Sequence, residues 1–433
     1  MRISSLAKMM VGVENIVVED VSFDGDAQAV VIGARPYRPH SCRCGRCGRK
    51  APYHDAGRGM RRWRCPDVAG TKVYVQAEAF RVRCLECGVT VRQVPWADHG
   101  SWFTRAFEDT CCWLALSMSK LACQRLLRIS WRTVGAICSR VLARLGEGQP
   151  PRTAGLKRIG VDETSYRKGH RYMTVVVNHD TGSVVWVHDG HGRKVFDAFF
   201  EEIGEEGRAS IELVSADGAR WVDDAMKEWV PHAVRCVDTF HVVQWATDLL
   251  DEVRKQSWRE AARKARAAPG RRRGRPRKGE EANPERKAAA SVKGLRYPLL
   301  KNPESLTERQ KAALEMAAIS QPRLHRAYLL KEGLRLALKL PADEIREGIE
   351  EWRGRAWRSR IPEFVELQRK IRRHLDAIVA TAESGLSNAR VEAINNKIKL
   401  TVRMAYGFRS LDNLFAMVML RCSGMEVPLP GRA

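Results

Sequence analysis

Hydrophobic and polar positions change rhythm several times along this chain, and each change predicts a different kind of element. Over residues 1–40 the apolar positions come in short runs, NIVVEDVSF and AQAVVIGA, which suit strands of a small β-rich module. TKVYVQAEAFRVR reads as a further strand-like stretch. From Phe103 the spacing lengthens: Phe107, Cys111 and Leu114 follow at steps of four, four and three, the mark of one apolar helix face. Residues 147–155 are rich in Pro and Gly and read as a linker. Five strand-like runs follow: RIGVDE, YMTVVVNH, SVVWVHD, IELVSAD and AVRCVD. Turns or helical segments separate them, the order expected of a mixed α/β sheet. Residues 249–385 are strongly charged and predominantly helical, interrupted by the low-complexity run GRRRGRPRKGEEANPERK. No fixed-period repeat is present.

A length of 433 residues predicts several domains, and 44% apolar residues suffice to give them cores. No run approaches the ~18 uncharged apolar residues of a membrane span, and the first twenty residues lack a signal-peptide pattern. The expectation is a soluble, intracellular protein not associated with membrane. Lys and Arg number 75 against 51 Asp and Glu, a net charge of +24 that calls for a polyanionic partner. Nucleic acid fits better than a membrane surface, because no basic amphipathic helix with an exposed Trp/Leu face is apparent.

Twelve cysteines in a chain without an export signal point to a reducing compartment, where CxxC pairs bind metal. Cys44/Cys47 and Cys84/Cys87 form two such pairs. Each CxxC turn presents two thiolates, and two turns complete a tetrahedral sulfur shell around structural Zn²⁺. Cys42 and Cys65 are spare candidates, and Cys42 could exchange for Cys44. The remaining cysteines lie in apolar patterns and are expected in cores. After the ribbon, SKLACQRLLRISWRTVGAICSRV has the two-part shape of a helix-turn-helix. Ser130 suits the N-cap of its second helix. Val134, Ile137 and Cys138 would then face the core, and Arg132, Thr133, Ala136 and Arg140 a DNA major groove.

Three acidic residues stand in sharply patterned surroundings. Asp162 ends the strand RIGVD, Asp217 ends ELVSAD, and Glu392 lies on a predicted helix with Asn388, Asn395 and Lys399 on one polar face. Val391, Ile394, Ile398 and Val402 give that helix an apolar stripe for packing on a sheet. Two strand-end carboxylates and one helical carboxylate can converge on Mg²⁺ (or Mn²⁺), a hard ion that takes oxygen ligands and supports in-line phosphoryl transfer. Lys397, Lys399, Arg403 and Arg409 follow Glu392 and are expected to hold DNA phosphates.

Together these features resemble the DDE transposases of bacterial insertion sequences, specifically the ISL3 family. The resemblance runs over nearly the whole length: the CxxC ribbon, the helix-turn-helix, GVDE, SADGAR, DTFHVVQWATD and SNARVEAINNKIKLTVRMAYGFRS. It implies a multidomain α/β plus α protein whose RNase H-like catalytic core is interrupted by a helical insertion. The expected limits are 1–98 for the β-rich zinc-ribbon domain and 99–148 for the helix-turn-helix domain. The core's first part is expected over 155–248, the insertion over 249–385, and the final core helix with the tail over 386–433. The resemblance also implies that Asp162, Asp217 and Glu392 are the catalytic triad, with Asp238 and His241 of Asp-Thr-Phe-His supporting them.

Such an enzyme binds double-stranded DNA at the terminal inverted repeats of its element, cleaves there and joins the 3′ ends to target DNA. A homodimer or higher oligomer on DNA is expected. The alternative is a DNA-binding regulator with a non-catalytic RNase H-like scaffold, which the intact carboxylates disfavour. Within the insertion, Arg271, Arg273, Arg275 and Arg277 surround a Gly-Arg-Pro core that resembles an AT-hook. In that reading the arginines lie along a narrow minor groove.

Overall fold

A computed structural model describes residues 3–267, 284–386 and 389–429. The chain divides into two compact units. One comprises Met1–Arg152, Ser165–Arg171 and Ile394–Ala433, the other Thr153–Thr164 and Tyr172–Ala393.

The first unit opens on helix α1 (Ile3–Val11) and strands β1 (Ile16–Asp24) and β2 (Ala29–Pro36). Helix α1 departs from the β-rich reading of these residues. Its buried Ala7 and Val11 stand four apart on one face and join the core of the sheet. Strands β3 (Tyr53–Asp55), β4 (Met60–Val68), β5 (Thr71–Glu78), β6 (Arg81–Cys84) and β7 (Gly88–Val91) follow. They form two sheets, one in the order β1-β2-β5-β4 and one in the order β3-β6-β7. Trp63 and Trp96 meet edge to face at 5.6 Å inside the larger sheet's core.

Helices α2 (Arg105–Ser117), α3 (Lys120–Leu127) and α4 (Trp131–Gly146) come next. Each starts on a hydroxyl cap: Thr104, Ser119 and Ser130 accept from the backbone N–H of Phe107, Ala122 and Thr133. Arg128 takes a left-handed conformation (φ 54°) to end α3 and turn the chain into α4.

The second unit is built on a five-stranded sheet. Its strands are β8 (Arg158–Arg167), β9 (Arg171–Asn178), β10 (Ser183–Asp189), β11 (Leu213–Ala216) and β12 (Val234–Val237). Their spatial order is β10-β9-β8-β11-β12. β9 and β10 are antiparallel, while β8, β11 and β12 run parallel. Helix α5 (Arg193–Ala209) precedes β11 and α6 (Arg220–Trp229) precedes β12. Phe196, Phe199 and Phe200 of α5 and Val222 of α6 fill the core against Ile159, Val161 and Val214.

The long helix α7 (Thr239–Ala267) leads into α8 (Pro284–Gly294) and α9 (Arg296–Leu300). Then come α10 (Glu308–Ser320), α11 (Pro322–Ala337), α12 (Ile345–Arg358), α13 (Pro362–Arg373) and α14 (Leu375–Glu383). These helices share one core around Leu250, Leu334, Trp352 and Phe364. Helix α15 (Ala389–Met404) carries Glu392, and α16 (Leu411–Cys422) closes the described chain.

The sequence reading kept residues 386–433 with the sheet, but α16 packs with α2 to α4. Its Met417 and Leu420 enter the cluster of Phe107, Cys111, Val134 and Ile137. No helix among the described residues is long and apolar enough to cross a membrane.

Candidate active site and metal centre

The register of three parallel strands organises the acidic residues. Gly160 of β8 pairs with Ser215 of β11, and Ala216 of β11 pairs with Val237 of β12. Asp162 and Asp217 each lie two residues beyond the first of these pairs, and Asp217 and Asp238 each lie one beyond the second. Asp162, Asp217 and Asp238 are therefore in step across the three strands: Asp217 and Asp238 directly follow the carboxyl ends of β11 and β12, whereas Asp162, expected to end its strand, lies within β8, which runs on to Arg167. In open α/β sheets ligands bind outside those ends.

Local backbone bonds hold each carboxylate. Asp162 Oδ1 accepts from the Glu163 N–H (2.7 Å), Asp217 Oδ1 from the Ala219 N–H (3.1 Å) and Asp238 Oδ1 from the Phe240 N–H (2.9 Å). His241 Nε2 lies 3.8 Å from Asp238 Oδ2. The Arg235 guanidinium donates to the Asp217 carbonyl and, at 3.1 Å, to the Asp223 carboxylate.

Two glycines let neighbours approach this edge. A Cβ on Gly218 would stand 2.4 Å from the Trp245 ring, so the residue after Asp217 has no room for a side chain. A Cβ on Gly160 would stand 2.7 Å from His179 Nε2 and 2.9 Å from Val391 Cγ2. Val391 is the residue before Glu392, so the start of α15 is seated directly on the backbone of the Asp162 strand. The seat is bonded as well as packed. Arg390 donates to the His179 carbonyl (2.7 Å), and buried His179 Nε2 meets Ser215 Oγ at 2.6 Å. Burial pushes the His179 imidazole below its ordinary pKa.

Glu163 is an acidic neighbour that sequence reasoning passed over, although it stands next to Asp162 in RIGVDE. Its carboxylate accepts from the Gly192 N–H at 2.7 Å. Burial raises its pKa, and the charges of Asp217 and Asp162 push the same way. Lys370 of α13 also feels this edge. Burial lowers its pKa, the Asp217 charge opposes that shift, and its Nζ sits 3.5 Å from the Trp245 ring centroid. Glu392 is exposed in the first turn of α15. Among the described residues, Asp162, Asp217 and Glu392 do not bring their ligand atoms within 4.8 Å of one another; what they offer is the oxygen donor type that hard divalent ions take.

The cysteine centre is tighter. Among the described residues, Cys44, Cys47, Cys84 and Cys87 are the one group of three or more candidate ligands whose atoms all lie within 4.8 Å of one another. Cys47 Sγ and Cys84 Sγ are 3.6 Å apart. Zn–S bonds near 2.3 Å give a tetrahedral sulfur shell with edges of about 3.8 Å, so the four thiols fit zinc. The backbone N–H groups of Cys87 and Glu86 hold the Cys84 thiol down to about 7, which favours the thiolate. The two spare candidates fall outside this group. Cys42 is exposed beside Ser41, and Cys65 sits in the core of the larger sheet, where burial pushes its thiol up to about 12.

The DNA-facing candidates separate by environment. Arg132 is exposed and Thr133, half-buried, shares its hydroxyl with Ser130 (2.9 Å). Arg140, expected to face outward, instead makes two hydrogen bonds to buried Glu108, at 2.9 and 2.6 Å. Lys397, Lys399 and Arg403 are exposed on α15, and Arg409 lies over the Trp131 ring at 5.2 Å. Arg271, Arg273, Arg275 and Arg277, with the AT-hook reading, and Asn388 fall outside the described residues.

Sequence comparison gives the class of protein these parts compose. Residues 159–418 match a family model described as transposase, and residues 92–142 match the helix-turn-helix domain of transposase family ISL3. Residues 40–87 match the zinc finger of the IS204, IS1001, IS1096 and IS1165 transposases. The chain belongs to the ISL3 family of insertion-sequence transposases, DNA-binding proteins with a zinc ribbon and a helix-turn-helix. Among its relatives is the transposase of insertion sequence element IS1557 from Mycobacterium tuberculosis. That protein is 47% identical over 437 aligned residues, covering 100% of this chain and 98% of the relative. The IS1001 transposase of Bordetella parapertussis is 26% identical over 381 residues, 87% of each chain.

Proposed function

We propose that this transposase cleaves phosphodiester bonds at the terminal inverted repeats of its element and joins the freed 3′ ends to target DNA. The observation that carries the proposal is the strand register that brings Asp162 and Asp217 into step, with Val391 seating the Glu392 helix on Gly160 of the same strand. The strand order, with three parallel strands beside an antiparallel pair, supports an RNase H-like core interrupted by the helices between Asp238 and Glu392. Asp162, Asp217 and Glu392 would hold Mg²⁺. When bound, the metal supplies Lewis acidity and neutralises charge building on the phosphoryl oxygens.

The chain's own groups do the positioning. Arg235 and the closed space at Gly218 fix the Asp217 turn. His179 and Arg390 fix the helix that presents Glu392. Asp238 and His241 support the edge from β12, and the reaction needs no side-chain nucleophile, since water or a DNA 3′-hydroxyl attacks phosphorus. Arg132 and Thr133 are proposed to read the ends, with Lys397, Lys399, Arg403 and Arg409 holding phosphates, and the protein to act as a homodimer or higher oligomer on DNA.

The test uses purified protein, Mg²⁺ and labelled element ends. Alanine at Asp162, Asp217 or Glu392 is expected to abolish nicking and joining while end binding persists. Normal joining by any of the three would remove that residue from the site. Absence of nicking and joining by the unaltered protein, with end binding intact, would leave a DNA-binding regulator on an inert scaffold.

A further inference from the structure

Helices α12 and α13 enclose an open groove of about 910 Å³ whose lining is dominated by arginine. Arg353, Arg358, Arg369, Arg372 and Arg373 face it against only two acidic residues, Glu350 and Glu366. Those two glutamates are already paired, with Arg353 and Arg369. Arg358, Arg372 and Arg373 have no acidic partner within 4 Å among the described residues, so the groove keeps a concentrated positive field.

Its floor is polar and built in. Gln368 is only 6% exposed, and the buried Nε of Arg353 has no hydrogen-bond partner.

The rim carries a second kind of chemistry. α12 has two tryptophans five residues apart with opposite fates. Trp352 is 1% exposed and donates to the Leu330 carbonyl, whereas Trp357 is 56% exposed. The Arg369 guanidinium stands 5.8 Å from the Trp357 ring centroid, which leaves an indole and a cation side by side at the mouth. Repeated guanidinium groups match repeated phosphates, and an exposed indole matches an unstacked base. A duplex offers the phosphates but keeps its bases stacked. The same helix α13 carries Lys370, whose charge interacts with that of Asp217, so the groove lies along the element that borders the acidic edge.

We infer that this groove binds single-stranded DNA, with the arginines on the phosphates and Trp357 stacked on a base. Cleavage at an element end would expose such a strand. That purpose rests on the cleavage chemistry proposed above, but the binding does not, and it is measured without divalent metal so that the two can fail separately.

The experiment uses the full-length protein, labelled dT20 and a labelled random duplex, titrated over a range of salt. Trp357→Ala is expected to weaken dT20 binding roughly tenfold and to leave duplex binding unchanged. Arg369→Ala with Arg372→Ala is expected to flatten the salt dependence of dT20 binding by about one phosphate contact or more. Bromouracil-substituted dT20 should photocrosslink to the peptide containing Trp357. Equal losses on duplex and single strand would make the groove a duplex phosphate track and overturn the proposal. Unchanged dT20 binding in both variants, or crosslinks confined to other segments, would overturn it as well.

Discussion

At Gly160 one hydrogen atom decides how closely a helix can approach a strand. The missing side chain lets Val391 and His179 touch backbone, and Val391 is bonded to the residue proposed as the third metal ligand. Adding a methyl group to a filled space costs ~1–3 kcal/mol through forced shifts of its neighbours. Here the neighbours are buried His179, tied to Ser215, and the first turn of α15, so the helix turn gives way. Gly160→Ala is expected to reduce strand joining at least tenfold through misplacement of Glu392, an effect of ~1.4 kcal/mol or more on the barrier. End binding by the helix-turn-helix, in the other compact unit, should persist. Joining at the original rate, with an unchanged melting temperature, would show that the seat has slack. Sequence pattern marked Asp162 because it follows a hydrophobic run, and Glu392 because it shares one polar face of a predicted helix with Asn388, Asn395 and Lys399. It gave no hint of Gly160 or His179, whose importance arises only when two distant segments meet.

Among whole elements, legibility follows the hydrophobic rhythm. The five runs from RIGVDE to AVRCVD each fall on one strand of the central sheet, and the serine that signals the start of α4 caps it. Two elements were not legible for physical reasons. Helix α1 has only nine residues, too few for a stripe to stand out from the strands after it. Helix α16 packs with helices almost three hundred residues earlier in the chain, and no local pattern encodes a partner so remote.

The same limit explains Arg140. From spacing it belongs on the outer face of α4, but Glu108 is fully buried and draws the guanidinium onto α2. Arg132 and Arg140 should therefore respond differently to alanine. Arg140→Ala leaves a buried carboxylate short of its main donor, so the melting temperature should fall by an amount equivalent to ~1–3 kcal/mol. Arg132→Ala should leave melting within error and weaken binding to element ends. A reversed pattern, with Arg140→Ala affecting only DNA binding, would return Arg140 to the DNA face.

Across the whole molecule, two kinds of stabilisation coexist. The large sheet and the helical insertion are held by apolar cores of the ordinary kind. The small sheet of β3, β6 and β7 has a cluster of only Cys44, Ala51, Val82 and Cys84, with Phe80 and Cys87 packed at its side. Three strands of three or four residues cannot hold together on so little buried surface. Metal coordination supplies what the core lacks, and in such modules metal binding and folding are one equilibrium.

The protein as purified should therefore carry tightly held zinc, about one ion per chain. Cys84→Ser should lose that zinc and open the β3-β6-β7 sheet, seen as faster amide exchange over residues 44–91, while the five-stranded sheet stays protected. Cys42→Ser supplies the contrast, because Cys42 lies outside the four-sulfur group and should keep its zinc and its exchange pattern. Loss of zinc on replacing Cys42 would move a ligand from Cys44 to Cys42. Folded, zinc-free protein with a protected small sheet would show that the ribbon stands without metal.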